Sequence, residues 1–339
     1  MAGGTNDRRG LFRNVTGKIV LEEHFALPDT IDNSERYFTP DVWPTMKHRL
    51  VDIHETRLAE MDKHGIEMMI LSLNAVAIQA VPDTRKAIEL ARKANDYLAE
   101  QVAKNPKRFQ GFAALAMQDP DEASRELTRS VKDLGFKGVL VNGFTQKEVE
   151  ESAVYYDLPQ YESFWATVEQ LGVPFYLHPR EPLASRSQHY EGHPWFLGSA
   201  WSFAVETSIH ALRLMASGIF DRYPRLTVIL GHLGERIPYD IWRVDHRLSK
   251  TPRGIPAQKP LGEYLRNNMY LTTSGNFRMQ TLLDAMGEVG SDRILFSVDW
   301  PFEDIRQGCE WFDRASIAEA DRLKIGRTNA QKLFGIDHI

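Results

Sequence analysis

Short apolar runs and longer amphipathic stretches alternate along the whole chain. The runs suited to strands are KIVLEEH (18–24), IEMMILSLN (66–74), RFQGFAAL (108–115), KGVLVNG (137–143), VPFYLHP (173–179), RLTVILGH (225–232), MYLTTSG (269–275) and RILFSVDWP (293–301). Between them lie segments with helical spacing. One covers 83–104 and opens at Asp83; another covers 119–134 with Pro120 in its first turn; a third, WSFAVETSIHALRLMASG, ends on Gly218, a residue suited to a helix C-terminus. Eight strand–helix alternations predict an α/β chain folded as one (β/α)8 TIM barrel over 17–339, with catalytic groups at the C-terminal ends of parallel strands. A doubly wound sheet is the rival architecture. It calls for a Gly-rich phosphate loop after an early strand, and neither G-x-G-x-x-G nor G-x-x-x-x-G-K-[ST] occurs.

Polar residues interrupt these runs at their ends. Strict alternation along GKIVLEEHF puts Ile19, Leu21 and Phe25 on one face and Val20, Glu22 and His24 on the other, leaving Glu23 as a surface acid. A carboxylate and an imidazole aimed the same way need a shared cation, a third residue or water, because burying either alone is costly. The same parity groups Tyr176 with His178 and Ser297 with Asp299, and turns Phe175, Leu177 and Phe296 toward the helices. Glu22, His24, His178, His232 and Asp299 therefore all fall at strand ends. Imidazole and carboxylate without thiolate suit Zn²⁺, Mn²⁺ or Fe²⁺ in a catalytic type of site with open positions.

Glu235 follows His232 by three residues, so a helix starting after Gly231 lets its carboxylate reach back to an imidazole nitrogen. Arg243, further along the same segment, is placed either to clamp a carboxylate or to form a surface ion pair. Asn74 and Asn142 close two strands, whereas His189, His193 and His210 have no motif partner. Two long connections, 26–56 and 180–199, leave the proposed catalytic end as candidate lids or subunit contacts. The first carries Tyr37, Phe38 and Trp43, of which Tyr37 and Phe38 are expected at the substrate.

Composition narrows the partners. The 41 basic and 46 acidic side chains give a net charge of −5 with the signs interspersed, so neither nucleic acid nor an anionic membrane is implied. Cys309 is the only cysteine, which excludes an intrachain disulfide and a multi-cysteine metal site and makes a reducing, cytoplasmic setting the expectation. Residues 1–16 hold three arginines but no apolar stretch of a secretory signal, and read as a flexible extension, with an organellar signal as the second option.

Taken together and in order, LEEHF, VPFYLHPR, ILGHLGE, TTSGNF and DRILFSVDWPFE resemble the amidohydrolase-superfamily (ACMSD-like) benzoate decarboxylases, from about Gly17 to near Phe334. The likeness is greatest to members acting on 2,6-dihydroxybenzoate (γ-resorcylate), with those acting on 2,3-dihydroxybenzoate and salicylate nearby. It implies a barrel holding one divalent ion per subunit, Zn²⁺ or Mn²⁺, with no organic cofactor. Carried over by motif, the ligands are Glu22, His24, His178 and Asp299, the acid–base pair is His232 with Glu235, and Arg243 contacts the substrate carboxylate. Glu22 stands where hydrolases of the superfamily carry the first histidine of H-x-H, and no carbamylated lysine has a counterpart. The implied reaction is reversible, nonoxidative decarboxylation of a small aromatic acid by a homotetramer, with Asp299 delivering a proton to the ring. A protonated Asp299 needs a raised pKa, which a dry pocket favours and metal coordination opposes. The alternatives are a decarboxylase of 2,3-dihydroxybenzoate, salicylate or orsellinate, a metal-dependent lactone or ester hydrolase on the same barrel, and a noncatalytic binding protein.

Overall fold

The apolar runs become eight parallel barrel strands in a computed structural model that describes residues 17–336, apart from the side chains of Asn33, Arg36 and Tyr37. The expected N-terminal extension, 1–16, lies outside the described residues. In chain order the strands are β1 (Lys18–Phe25), β2 (Ile66–Leu73), β3 (Phe109–Gly111), β4 (Val139–Asn142), β5 (Phe175–His178), β6 (Val228–Leu230), β7 (Met269–Thr272) and β8 (Ile294–Leu295). Each pairs in parallel with the next, β3 reaching β4 through a bridge between Ala113 and Val139. Most are shorter than their apolar runs, because the ladder ends where the chain turns into the site.

The seam between β8 and β1 is closed differently. His24 donates its amide to the Trp300 carbonyl at 2.7 Å, and the amides of Leu21 and Glu22 both donate to Ser297 Oγ, at 3.0 and 2.7 Å. Two consecutive amides can share one acceptor only where a strand bulges, and β1 advances three residues, Val20 to Glu23, while β2 advances two, Met69 to Leu71. The bulge corrects the alternation read from the sequence. Ile19 and Leu21 face the barrel interior, Val20 and Phe25 pack toward the helices, and Glu22 and His24 turn inward one step out of phase with Val20. Elsewhere parity holds: Tyr176 and Leu295 fill the interior, while Phe175, Leu177 and Phe296 pack outward.

Helices cover the outside, and capping explains where they start. Asp83 accepts the Lys86 amide at the head of Thr84–Lys104, and Asp119 accepts those of Asp121 and Glu122 ahead of Pro120–Lys132. The connection after β1 holds a helix, Trp43–Val51, not expected from its aromatic content, and a hairpin of Thr145–Lys147 with Val149–Val154 follows β4. Cys309 is buried, and burial pushes its thiol up to about 12, which leaves it inert. Among the described residues no helix is long and apolar enough to cross a membrane.

His210, on the helix Ser202–Ala216, plays a structural part. Its ring lies between those of Tyr155 and Tyr156, and Nε2 accepts the Tyr156 amide at 3.2 Å. Burial, with Arg213 nearby, pushes its pKa down to about 3. Below an ordinary histidine value of about 6.5 the unfolded chain binds a proton that the folded chain refuses. Stability is therefore present above that value and lost as pH falls from it toward 3. His210→Gln is expected to flatten the acid limb by up to about 1.4 kcal/mol per pH unit, seen as the difference between the two proteins' urea midpoints from pH 6 to 4.5.

Candidate metal centre

Three strands, β1, β5 and β8, deliver Glu22, His24, His178 and Asp299 to one place, with a donor atom of each within 4.8 Å of the others. His24 Nε2 lies 3.2 Å from Asp299 Oδ1, and His178 Nε2 lies 3.4 Å from Glu22 Oε1. The outward atoms are already engaged. Ser72 Oγ stands 3.1 Å from His24 Nδ1, and His178 Nδ1 donates to the Pro179 carbonyl at 3.0 Å, which leaves the Nε2 lone pair of His178 facing the cluster. Glu22 Oε2 accepts from the Tyr176 hydroxyl and from Thr272 Oγ1. Gly231 makes room for that carboxylate, since a Cβ there would sit 3.0 Å from both of its oxygens.

What remains is a set of inward atoms without partners: Glu22 Oε1, His24 Nε2 and Asp299 Oδ1 are buried and accept or donate no hydrogen bond. Buried polar atoms are otherwise almost always paired. Two imidazoles and two carboxylates converging in this way fit a single divalent cation with positions left for substrate or water. Burial raises the Glu22 carboxyl. It also acts to raise Asp299, but the neighbouring imidazoles of His232 and His24 outweigh it and bring Asp299 down to about 2.

His232 stands over the cluster, its Nε2 3.9 Å from Glu22 Oε1 and 3.7 Å from Asp299 Oδ2, while Nδ1 meets Glu235 Oε1 at 2.6 Å. Burial lowers its basicity, yet the charges of Glu235 and Glu22 win and hold its pKa well above the ordinary value. The pairing matches the sequence reading, but its backbone does not. No helix starts at Gly231; the next one is Ile237–Lys250. His232, Leu233, Gly234, Glu235 and Arg236 run with φ of 51, 58, 86, 51 and 71°, a left-handed turn that costs a non-glycine residue of order 1 kcal/mol or more. Leu233 secures it by burying its side chain and donating its amide to the Thr272 carbonyl at 2.7 Å. At Gly234 a Cβ would press on Pro238 and Leu271 as well as straining the backbone.

Comparison with known proteins agrees with this geometry. The amidohydrolase family model matches residues 23–336. The chain belongs to the amidohydrolase family. It is similar to γ-resorcylate decarboxylase of Rhizobium sp. (strain MTP-10005), 60% identical over 323 residues that cover 95% of this chain and 99% of that one. The corresponding enzyme of Rhodococcus jostii (strain RHA1) is 56% identical, with 95% and 99% covered. Among solved structures, 2,6-dihydroxybenzoate decarboxylase complexed with 2,6-dihydroxybenzoate superposes with a TM-score of 0.93 at 59% identity, covering 95% and 100% of the two chains. The dihydroxybenzoic acid decarboxylase of Polaromonas sp. JS666, with bound manganese and 2-nitroresorcinol, gives 0.93 at 56%, covering 96% and 98%.

In this amidohydrolase a cavity of about 530 Å³ opens beside His232, lined by Glu235, Arg236, Tyr239, Asn276 and Trp201. Arg243 is not part of that wall. It is exposed on Ile237–Lys250, about 9 Å along the axis from the helix start at 1.5 Å per residue, whereas Arg236 stays at the mouth with its guanidinium 4.2 Å over the Trp201 ring. The Tyr37 side chain lies outside the described residues. Phe38 approaches the centre indirectly: it stacks on Phe302 at 6.2 Å and 3°, and Phe302 lies 5.4 Å from the His24 ring. Phe302 went unnoticed in the sequence although DWPFE contains it. Asn74 ties the 26–56 connection to β2 through Ser34 Oγ at 3.1 Å, and Asn142, paired with His178 in the ladder, keeps a buried Oδ1 without a partner.

Proposed function

We propose that this amidohydrolase reversibly and nonoxidatively decarboxylates 2,6-dihydroxybenzoate to resorcinol and CO₂. The observation that carries the reading is the convergence of the four ligands with His232–Glu235, in a chain 56–60% identical to γ-resorcylate decarboxylases over 95% of its length. Direct loss of CO₂ from a benzoate leaves an aryl carbanion that no residue of the site stabilises, so ring protonation comes first. A divalent ion held by Glu22, His24, His178 and Asp299 supplies Lewis-acid charge that lowers the pKa of an ortho phenol.

Asp299, held ionised at rest, takes its proton from the arriving phenol. It then delivers that proton to the carboxyl-bearing carbon, whose bond to the carboxylate breaks as the electron pair returns to the ring and CO₂ leaves. His232, oriented by Glu235, passes a solvent proton to the phenolate oxygen of the product. Phe302 and Phe38 supply an aromatic wall for the ring.

Copies of the chain associate as a homotetramer in the cytoplasm in this proposal. Trp195, Trp201, Tyr239 and Trp242, all exposed, form the contact surface. Arg243, next to Trp242, meets the carboxylate of a substrate held by the neighbouring copy. Arg243→Leu is then expected to raise KM with kcat little changed, read from steady-state kinetics.

Proton NMR of the manganese-loaded protein with 2,6-dihydroxybenzoate in D₂O tests the reaction. Resorcinol carrying deuterium at the vacated carbon is the expected product, and a chelator should abolish turnover until Mn²⁺ is returned. Inertness toward hydroxybenzoates combined with hydrolysis of lactones would replace the proposal with the hydrolase reading.

A further inference from the structure

Glu23 is fully buried beside the metal ligands, yet it points away from them. Its carboxylate receives three hydrogen bonds from the far end of the chain. Oε1 accepts from Ser297 Oγ and from the Val298 amide, both at 2.9 Å, and Oε2 accepts from the Trp300 amide at 3.0 Å. Val298 and Trp300 flank Asp299 in the chain, so one carboxylate grips the backbone both before and after that ligand. Asp299 itself has φ of 81°, in the left-handed region that an aspartate visits only when something holds it there.

Ser297 extends the clamp. Its hydroxyl donates to Glu23 and accepts from the Leu21 and Glu22 amides, which uses its one proton and both lone pairs. Those two accepted bonds define the β1 bulge that turns Glu22 into the barrel. The same pair of side chains thus fixes the backbone of a ligand on β1 and of a ligand beyond β8.

We propose that Glu23 is a positioning residue: its bonds to Ser297, Val298 and Trp300 set the angle at which Asp299 and Glu22 present their oxygens to the ion. The inference rests on the divalent-ion reading of the site and is independent of which reaction the ion serves. A glutamine cannot replace the clamp. Its single carbonyl oxygen can serve one side, and its amide group then faces an N–H or O–H donor on the other.

The experiment measures Mn²⁺ binding to chelator-stripped protein by equilibrium dialysis, alongside the melting temperature. Glu23→Gln is expected to weaken Mn²⁺ affinity about 10–100-fold. Leu98→Ala, a cavity in the outer shell remote from the ligands, should lower the melting temperature and leave Mn²⁺ affinity at the wild-type value. Wild-type affinity in a folded Glu23→Gln protein overturns the proposal, as does an equal loss of affinity in Leu98→Ala. Should Glu23→Gln fail to fold, Ser297→Ala takes its place: about tenfold weaker Mn²⁺ binding supports the clamp, and unchanged binding overturns it. A wild-type protein that binds Mn²⁺ but leaves hydroxybenzoates intact would refute the decarboxylase reading while this comparison of affinities still stands.

Discussion

Asp299→Asn should yield a folded protein that decarboxylates 2,6-dihydroxybenzoate about 10²–10⁴-fold more slowly. The fold survives because asparagine is among the few residues that tolerate a φ of 81°. The hydrogen bonds that hold this stretch also run to the amides of Val298 and Trp300 rather than to the Asp299 side chain. The chemistry fails because an amide has no titratable proton to take from the phenol or give to the ring. An amide oxygen remains a ligand, though an uncharged one, so ion content must be matched before rates are compared. Near-normal kcat in ion-matched protein would remove Asp299 from the proton path.

His232→Asn is expected to lower kcat by a similar factor, about 10²–10⁴-fold, with ion binding retained because all four ligands stay in place. Asparagine again suits the backbone, here at φ of 51°, so the loss reports chemistry rather than a collapsed turn. Glu235→Gln should cost less, because the imidazole remains and loses only the anion that orients it at 2.6 Å and raises its basicity. Measuring kcat for both variants at equal Mn²⁺ occupancy checks the ranking. If Glu235→Gln proves as damaging as His232→Asn, Glu235 does more than orient its neighbour.

Much of this architecture was legible in the sequence because barrel strands are short apolar runs whose inward and outward positions alternate. The parity of β5 followed from that rule, and with it the placement of His178, whereas Asp299 lies beyond the end of β8 at a φ of 81°, where alternation no longer applies. Reading β1 by the same rule placed Glu22 and His24 on one inward face, as found, but put Ile19 and Leu21 on the opposite one, because a bulge inserts one residue between Val20 and Glu23 and brings both pairs into the interior. Glu23 looked like a surface acid because its three donors lie 274 to 277 residues downstream, beyond the reach of any window of periodicity. The His232–Glu235 spacing gave the correct pair by way of the wrong backbone, since three residues apart is close in a left-handed turn as well as in a helix. Arg236 and Phe302 carried only weak signals, a basic residue after a motif and an aromatic after a proline.

The side-chain seam between β1 and β8 also bears on when the protein can first acquire its ion. Three ligands are present once the chain has been synthesised through His178, but the fourth is Asp299, and the strand that carries it is joined to β1 by contacts of very high sequence separation, which form late. An emerging polypeptide therefore holds an incomplete chelate until its last quarter has been made and the ring has shut. Cation uptake should therefore coincide with the end of folding, and any fragment lacking the C-terminal strand should remain a poor scavenger of Mn²⁺ however much of the barrel it retains.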